Sequence, residues 1–133
     1  MKFAAFLHVF HEYIMEVSMC SGPSMLPTLN SSGDVVVMQR FSHRLGNVKK
    51  GDVVICKSPT NASQTVCKRV AAVEGEPVPG SFTGAPVPQG HIYLLGDNAD
   101  NSTDSRYYGA VPAALVQGIV FLRIFPLTQI KAL

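Results

Sequence analysis

The chain has 133 residues, 47% of them apolar, and a formal charge of only +2. That length fits one compact domain, and so slight a charge offers no basic surface of the kind nucleic acid demands. A mean hydropathy of +0.20 is high for a domain this small and points to contact with a membrane or an apolar partner.

At the helical period Phe3, Phe6, Leu7, Phe10, Ile14 and Val17 share one face, with His8, Glu12 and Glu16 opposite. This predicts an amphipathic helix running to Met19, suited to a bilayer interface or an apolar partner. The alternative is a helix that covers the core of its own domain. A spanning helix needs about 20 mostly apolar residues, and His8, His11, Glu12 and Glu16 break the run. No small-residue cleavage site follows, so the segment does not read as a secretory signal.

From Cys20 onward the pattern changes to Val/Ile-rich runs: Asp34–Arg40, Asp52–Lys57, Gln64–Glu74, His91–Leu95 and Gly118–Phe125. Breaks rich in Gly, Pro, Asn and Ser separate them. Short strands at this spacing predict an antiparallel sandwich or partly closed barrel. Pro112–Val116 suits one helical turn, and Glu74–Gln89, with four prolines, reads as an exposed loop or hairpin insert. The three cysteines, Cys20, Cys56 and Cys67, lack metal-type spacing and read as small buried apolar residues. A Cys56–Cys67 bridge between neighbouring strands is the alternative.

Three segments carry chemistry. Ser24 lies between Pro23 and Pro27, which fix φ and hold the backbone in a defined turn. Such a turn presents a hydroxyl as a nucleophile needs, although a serine in a turn is common. The histidines offer no evident base: His8 and His11 belong to the N-terminal helix, His43 to a polar loop, and His91 opens a strand. In the run QTVCKRVAAV a strand places Val66, Lys68, Val70 and Ala72 on one face. Desolvation on an apolar face disfavours ammonium, lowers the pKa and frees an amine to act as general base. The alternative is a lysine snorkelling at a strand edge. The third segment, Leu95–Val111, is dense in Asp, Asn and Ser. It reads as a calcium loop without the flanking helices and closing Glu, as a solvated turn, or as a structured loop in which Asp104 pairs with Arg106 and Ser102 orients a neighbour.

Taken in order, GPSMLPTL (22–29), GDVVIC (51–56), CKRVAAVEGE (67–76) and GDNADNSTDSRYYG (96–109) resemble the conserved boxes of the type I signal peptidase family. The resemblance leans toward the small mitochondrial members, because CSGPSM, VCKRV and NSTDSR match and the interval from Lys68 to Gly96 is short. It implies a mainly β domain of antiparallel sheets in a partly closed barrel, working with no metal and no cofactor. It also implies that Ser24 attacks the peptide carbonyl and Lys68 takes its proton. Ser102 would hydrogen-bond the lysine amine, Asp104 and Arg106 would form an ion pair, Gly96 would lie close to the catalytic residues, and Met25 would contact substrate. On this reading residues 1–19 are a membrane- or partner-associating helix, and residues 20–133 are the peptidase domain. Substrates are preproteins with hydrophobic presequences, cut at the mitochondrial inner membrane on its intermembrane-space face beside a second homologous subunit. The alternatives are a bacterial-type signal peptidase or self-cleaving serine–lysine protease of the same fold, and a non-catalytic subunit that only holds substrate. Two positions depart from the pattern. Gly22 stands where some members carry a hydroxyl near the oxyanion, which leaves the Ser24 N–H as the main donor because Pro23 has none. The turn after the lysine strand reads Val73-Glu74-Gly75-Glu76-Pro77.

Overall fold

The computed structural model describes residues 2–13, 15–40 and 47–133, without the side chains of residues 10–13. Ile14 and His43 therefore lie outside the described residues, as does the side chain of Phe10.

One antiparallel sheet makes the domain. Its strands are β1 (Met15–Cys20), β2 (Asp34–Gln39), β3 (Val53–Lys57), β4 (Thr65–Val73), β5 (His91–Leu95), β6 (Val111–Pro112), β7 (Val116–Phe125) and β8 (Lys131–Ala132). They are ordered β1-β2-β7-β3-β4-β5-β6, with β8 added against β7. All five Val/Ile-rich runs appear as strands, and the helical turn after Pro112 is the 3₁₀ turn Ala113–Leu115. Cys20 of β1 and Cys67 of β4 line one cavity although three strands separate β1 from β4 in the order, so the sheet curls back on itself. This is the partly closed barrel the sequence implies.

Curling gives the sheet two cores. Val53 and Ile55 of β3 join Met25, Leu29, Val36, Met38 and Val120 on one face. Val54 and Cys56 join Val70, Ile92, Leu94, Val116 and Ile119 on the other. Four consecutive buried residues in β3 thus serve both faces, which is why that strand reads as an unbroken apolar run rather than an alternation. Each fully buried Val, Leu or Ile contributes roughly 1.5–3 kcal/mol. The proline-rich insert is pinned by a Pro77–Pro86 bridge and by Val87, which packs with Ala72 and Tyr93.

The N-terminal helix is shorter than its periodicity predicts. α1 spans Lys2–Tyr13 and the chain is already extended by Met15. Six register pairs, from Met15↔Gln39 to Cys20↔Asp34, hold β1 to β2 and override the helical pattern. Glu16 pairs with Arg40 across this edge, and Val17 sits on a strand, apart from the helical stripe. Residues 2–9 are all exposed, Phe3 and Phe6 included, so this part of α1 does not cover the domain's core. No helix among the described residues is long and apolar enough to cross a membrane.

Cys56 faces Val66 and Cys67 faces Ile55 in the β3–β4 register. Adjacent residues point to opposite faces, so Cys56 and Cys67 belong to different cores. All three cysteines are free thiols, and the alternative of a Cys56–Cys67 bridge is corrected by this geometry.

Candidate active site

The first wall of the site is the turn after β1. Gly22 adopts φ 102°, a backbone conformation that L side chains rarely adopt, and leads into a 3₁₀ turn at Pro23–Met25. The Leu29 N–H donates to the Met25 carbonyl at 2.9 Å, and the Gly22 N–H donates to Ser31. Met25 and Leu29 sink into the core at 2% and 1% exposure. With its neighbours anchored below, Ser24 stands at the cleft between the Cys20–Met25 and Thr65–Lys68 segments. Met25 lines that cleft from the core side.

The second wall is β4, where Lys68, Val70 and Ala72 are buried in alternation, as the strand period predicts. Lys68 is only 5% exposed. Its Nζ donates to Ser24 Oγ at 2.8 Å. Burial holds the ammonium below the ordinary lysine value, while Cys67, Asp104 and Cys56 pull the other way without reversing it. A desolvated amine against a hydroxyl is the arrangement by which a proton can be drawn from a serine.

The polar segment after β5 closes the site as a structured loop. Asp104 is fully buried and caps the short helix α2 (Ser105–Tyr108), accepting from the Arg106 N–H. Its carboxylate also accepts from the Gly96 N–H at 3.0 Å, from Ser102 Oγ at 2.9 Å and from Arg106 Nε at 2.9 Å. Burial raises the carboxyl's pKa, but these donors outweigh it and bring the group down to about 2. Arg106 spans the loop to the Ala99 carbonyl at 2.7 Å. The Ser102 hydroxyl thus donates to Asp104, and among the described residues its expected bond to the Lys68 amine is not formed. Gly96 explains how close everything lies. A Cβ there would meet Ser102 Oγ at 2.2 Å and the Ser24 carbonyl oxygen at 2.6 Å. The loop is fastened to the nucleophile turn as well, because the Asn98 N–H donates to the Ser24 carbonyl at 2.8 Å.

Two ion pairs that sequence reasoning missed support the turn. Asp97 accepts from Arg69, the residue after Lys68, and from the Thr28 hydroxyl. Arg123 of β7, nearly buried, donates to the Thr28 and Gln129 carbonyls at 2.9 and 2.8 Å and faces buried Asp34 at 3.5 Å. Asp34 in turn accepts from the Asn30 N–H. An Arg inside an otherwise apolar strand such as GIVFLRIF was the available signal. The acidic side chains of the loop do not converge: among the described residues no group of three or more His, Cys, Asp or Glu is placed to hold a metal ion.

With this geometry in place, the sequence matches the signal peptidase, peptidase S26 family over residues 1–82 and 79–125. The chain belongs to that family and is a signal-peptidase-like serine protease. It is 45% identical over 132 residues to mitochondrial inner membrane protease subunit 1 of Xenopus tropicalis, covering 95% of this chain and 78% of that one. It is 41% identical to the human protein of the same name, covering 96% and 80%. Subunit 2 of the corresponding protease of Danio rerio is 38% identical, covering 83% and 64%. Among solved structures, a signal peptidase I from Enterococcus faecalis aligns with a TM-score of 0.47 at 25% identity, covering 54% of this chain and 95% of that one.

Proposed function

We propose that the protein is an endopeptidase in which Ser24 is the nucleophile and Lys68 its general base. The observation that carries this reading is the 2.8 Å contact between Ser24 Oγ and the Nζ of a lysine excluded from water. Neutral Lys68 takes the hydroxyl proton as Ser24 attacks the scissile carbonyl, and the Ser24 N–H steadies the oxyanion. The lysine then returns the proton to the leaving amine, and water releases the acyl group by the same route. Asp104 positions Ser102 and the Gly96 backbone against this pair, with Arg106 holding the carboxylate from outside. Met25 forms the floor on which a substrate side chain rests.

The substrates are preproteins with hydrophobic presequences, cut at the mitochondrial inner membrane with the catalytic domain facing the intermembrane space. The reading rests on the family and on relatives named as inner membrane proteases. A second homologous subunit is the natural partner, since relatives carry the names subunit 1 and subunit 2. The exposed apolar residues of α1 suit the lipid or partner side of that arrangement. The test is to present purified protein, and its Ser24→Ala variant, with a mitochondrial preprotein and sequence the new N-terminus. Cleavage by the first alone supports the assignment, and cleavage by both overturns it.

A further inference from the structure

The two walls of the cleft carry a pair of thiols that peptide hydrolysis does not use. Cys20 ends β1 and Cys67 precedes Lys68 on β4, yet both line the cleft that holds Ser24 and Lys68. Both also line a second, adjoining hollow with Ser18, Met19, Ile55 and Thr65. Cys67 packs against the core cluster that contains Cys20, whereas Cys56 belongs to the opposite core. No strand ladder joins β1 to β4, because β2, β7 and β3 stand between them in the sheet. The two thiols therefore meet across the open side of the curled sheet, where neither is held by backbone pairing to the other.

We propose that Cys20 and Cys67 are a reversible modification site, oxidised by low-molecular-weight disulfides to a cystine that shuts the cleft to peptide. A covalent sulfur–sulfur bond is shorter than any contact between two thiols. Forming it draws the Cys20–Met25 wall toward the Thr65–Lys68 wall and takes the space a substrate side chain would enter. The chemistry needs only exchange. The Cys20 thiolate attacks one sulfur of the external disulfide and expels one thiolate, giving a mixed disulfide on Cys20. Cys67 then gives its proton to that departing thiolate and attacks the Cys20 sulfur, and the second external sulfur leaves as a thiolate that takes up the proton Cys20 shed on ionising. Two protein thiols and one disulfide become one cystine and two small thiols. The order follows from the local environment: the hydrogen bond from Cys67 lowers the Cys20 thiol against the opposing effects of burial and Asp34, whereas Cys67 is raised.

The effect on turnover rests on the peptidase reading above, so the experiment includes readouts that need no catalysis. Reduced full-length protein is equilibrated with glutathione and oxidised glutathione at graded ratios. Peptide mapping then follows the Cys20–Cys67 link as the loss of two hydrogen atoms. In parallel, peptide cleavage is measured, along with the rate at which a small activated ester acylates Lys68, which requires an open cleft alone. The expected result is that the linked species accumulates while cleavage and Lys68 acylation both fall by roughly tenfold or more, and that a dithiol reductant restores both. A Cys67→Ala variant, measured against its own reduced state, loses this response, while Cys56→Ala keeps it. Should reduced protein cleave nothing, the peptidase reading fails, and linkage with slowed Lys68 acylation still upholds the thiol site. Thiols that stay reduced, glutathione adducts without the internal link, or a link that leaves Lys68 as reactive as before would each overturn it.

Discussion

Arg69 and Asp97 are joined by two parallel bonds, Nε to Oδ1 and Nη2 to Oδ2, each 2.9 Å long. The pair ties the strand that carries Lys68 to the loop that braces Ser24, and Asp97 also takes the Thr28 hydroxyl. Only a planar guanidinium makes both bonds at once. Arg69→Lys should therefore keep the charge yet lower turnover. Because Arg69 remains about one-third exposed, the loss of stability should stay near or below about 1 kcal/mol. Chemical denaturation beside steady-state kinetics checks this. A variant with unchanged kinetics would show that the pair does not position the site.

The lysine mechanism makes a pH prediction with a definite sign. Burial lowers the Lys68 pKa, so the neutral, active amine gains population as pH rises, and turnover should climb along one ionisation below the usual lysine value. The same burial makes the ammonium a cost to the fold, relieved as pH rises through the lowered pKa. Lys68→Met should abolish cleavage while raising stability by about 1 kcal/mol. Lys68→Arg should be inactive too, since it cannot shed its proton. His91, whose ring lies beside the Gln89 carbonyl on the rim of another hollow, should be replaceable by Ala with turnover intact. A Lys68→Arg enzyme of near-normal activity would refute the scheme.

Gly96→Ala should be among the most damaging single-methyl changes in the chain. The added carbon would sit 2.2 Å from Ser102 Oγ and 2.6 Å from the Ser24 carbonyl oxygen. Adding Ser102→Gly removes the first clash and leaves the second, because the Ser24 oxygen belongs to the backbone. The double variant should accordingly recover folding yield but little turnover. Full kinetic recovery would mean that the Ser24 turn tolerates displacement.

Asp104 and Arg106 should not behave alike. Asp104→Ala strips the acceptor from the Gly96 N–H and Ser102, and should cost about 2–4 kcal/mol as well as activity. Arg106 is more than one-third exposed, so Arg106→Ala should be the milder change in both respects. The depressed carboxyl contributes stability above its ordinary value of 3.8, lost as pH falls toward about 2. Acid denaturation of Asp104→Asn should lack that part of the pH dependence.

Much of this was readable in the chain because it is local. Lys68 was visible as a charge on an apolar strand face and Ser24 as a hydroxyl between prolines, signals each common alone and joined across 44 positions only by the resemblance of the four boxes. What was not readable depends on distant pairing. The stretch Met15–Cys20 continues a helical pattern, and only six partners in β2 make it a strand. Arg69–Asp97 and Arg123–Asp34 join residues 28 and 89 positions apart. Nothing in the spacing pairs Cys20 with Cys67, because curvature of the sheet brings them together. Residue type alone did not show that the Ser102 hydroxyl would donate to Asp104 rather than bond the Lys68 amine.

The place of β7 in the sheet has a consequence for how the protein is made. β7 pairs with β2 on one side and β3 on the other, so it joins the Ser24 half of the molecule to the Lys68 half. It follows both Ser24 and Lys68 in the chain. Until Val116–Phe125 is synthesised, the two halves lack their common seam, and only the Arg69–Asp97 pair and the Asn98 contact span the hydroxyl and the amine. A chain interrupted before Val116–Phe125 would accordingly lack the strand that both halves of the sheet share.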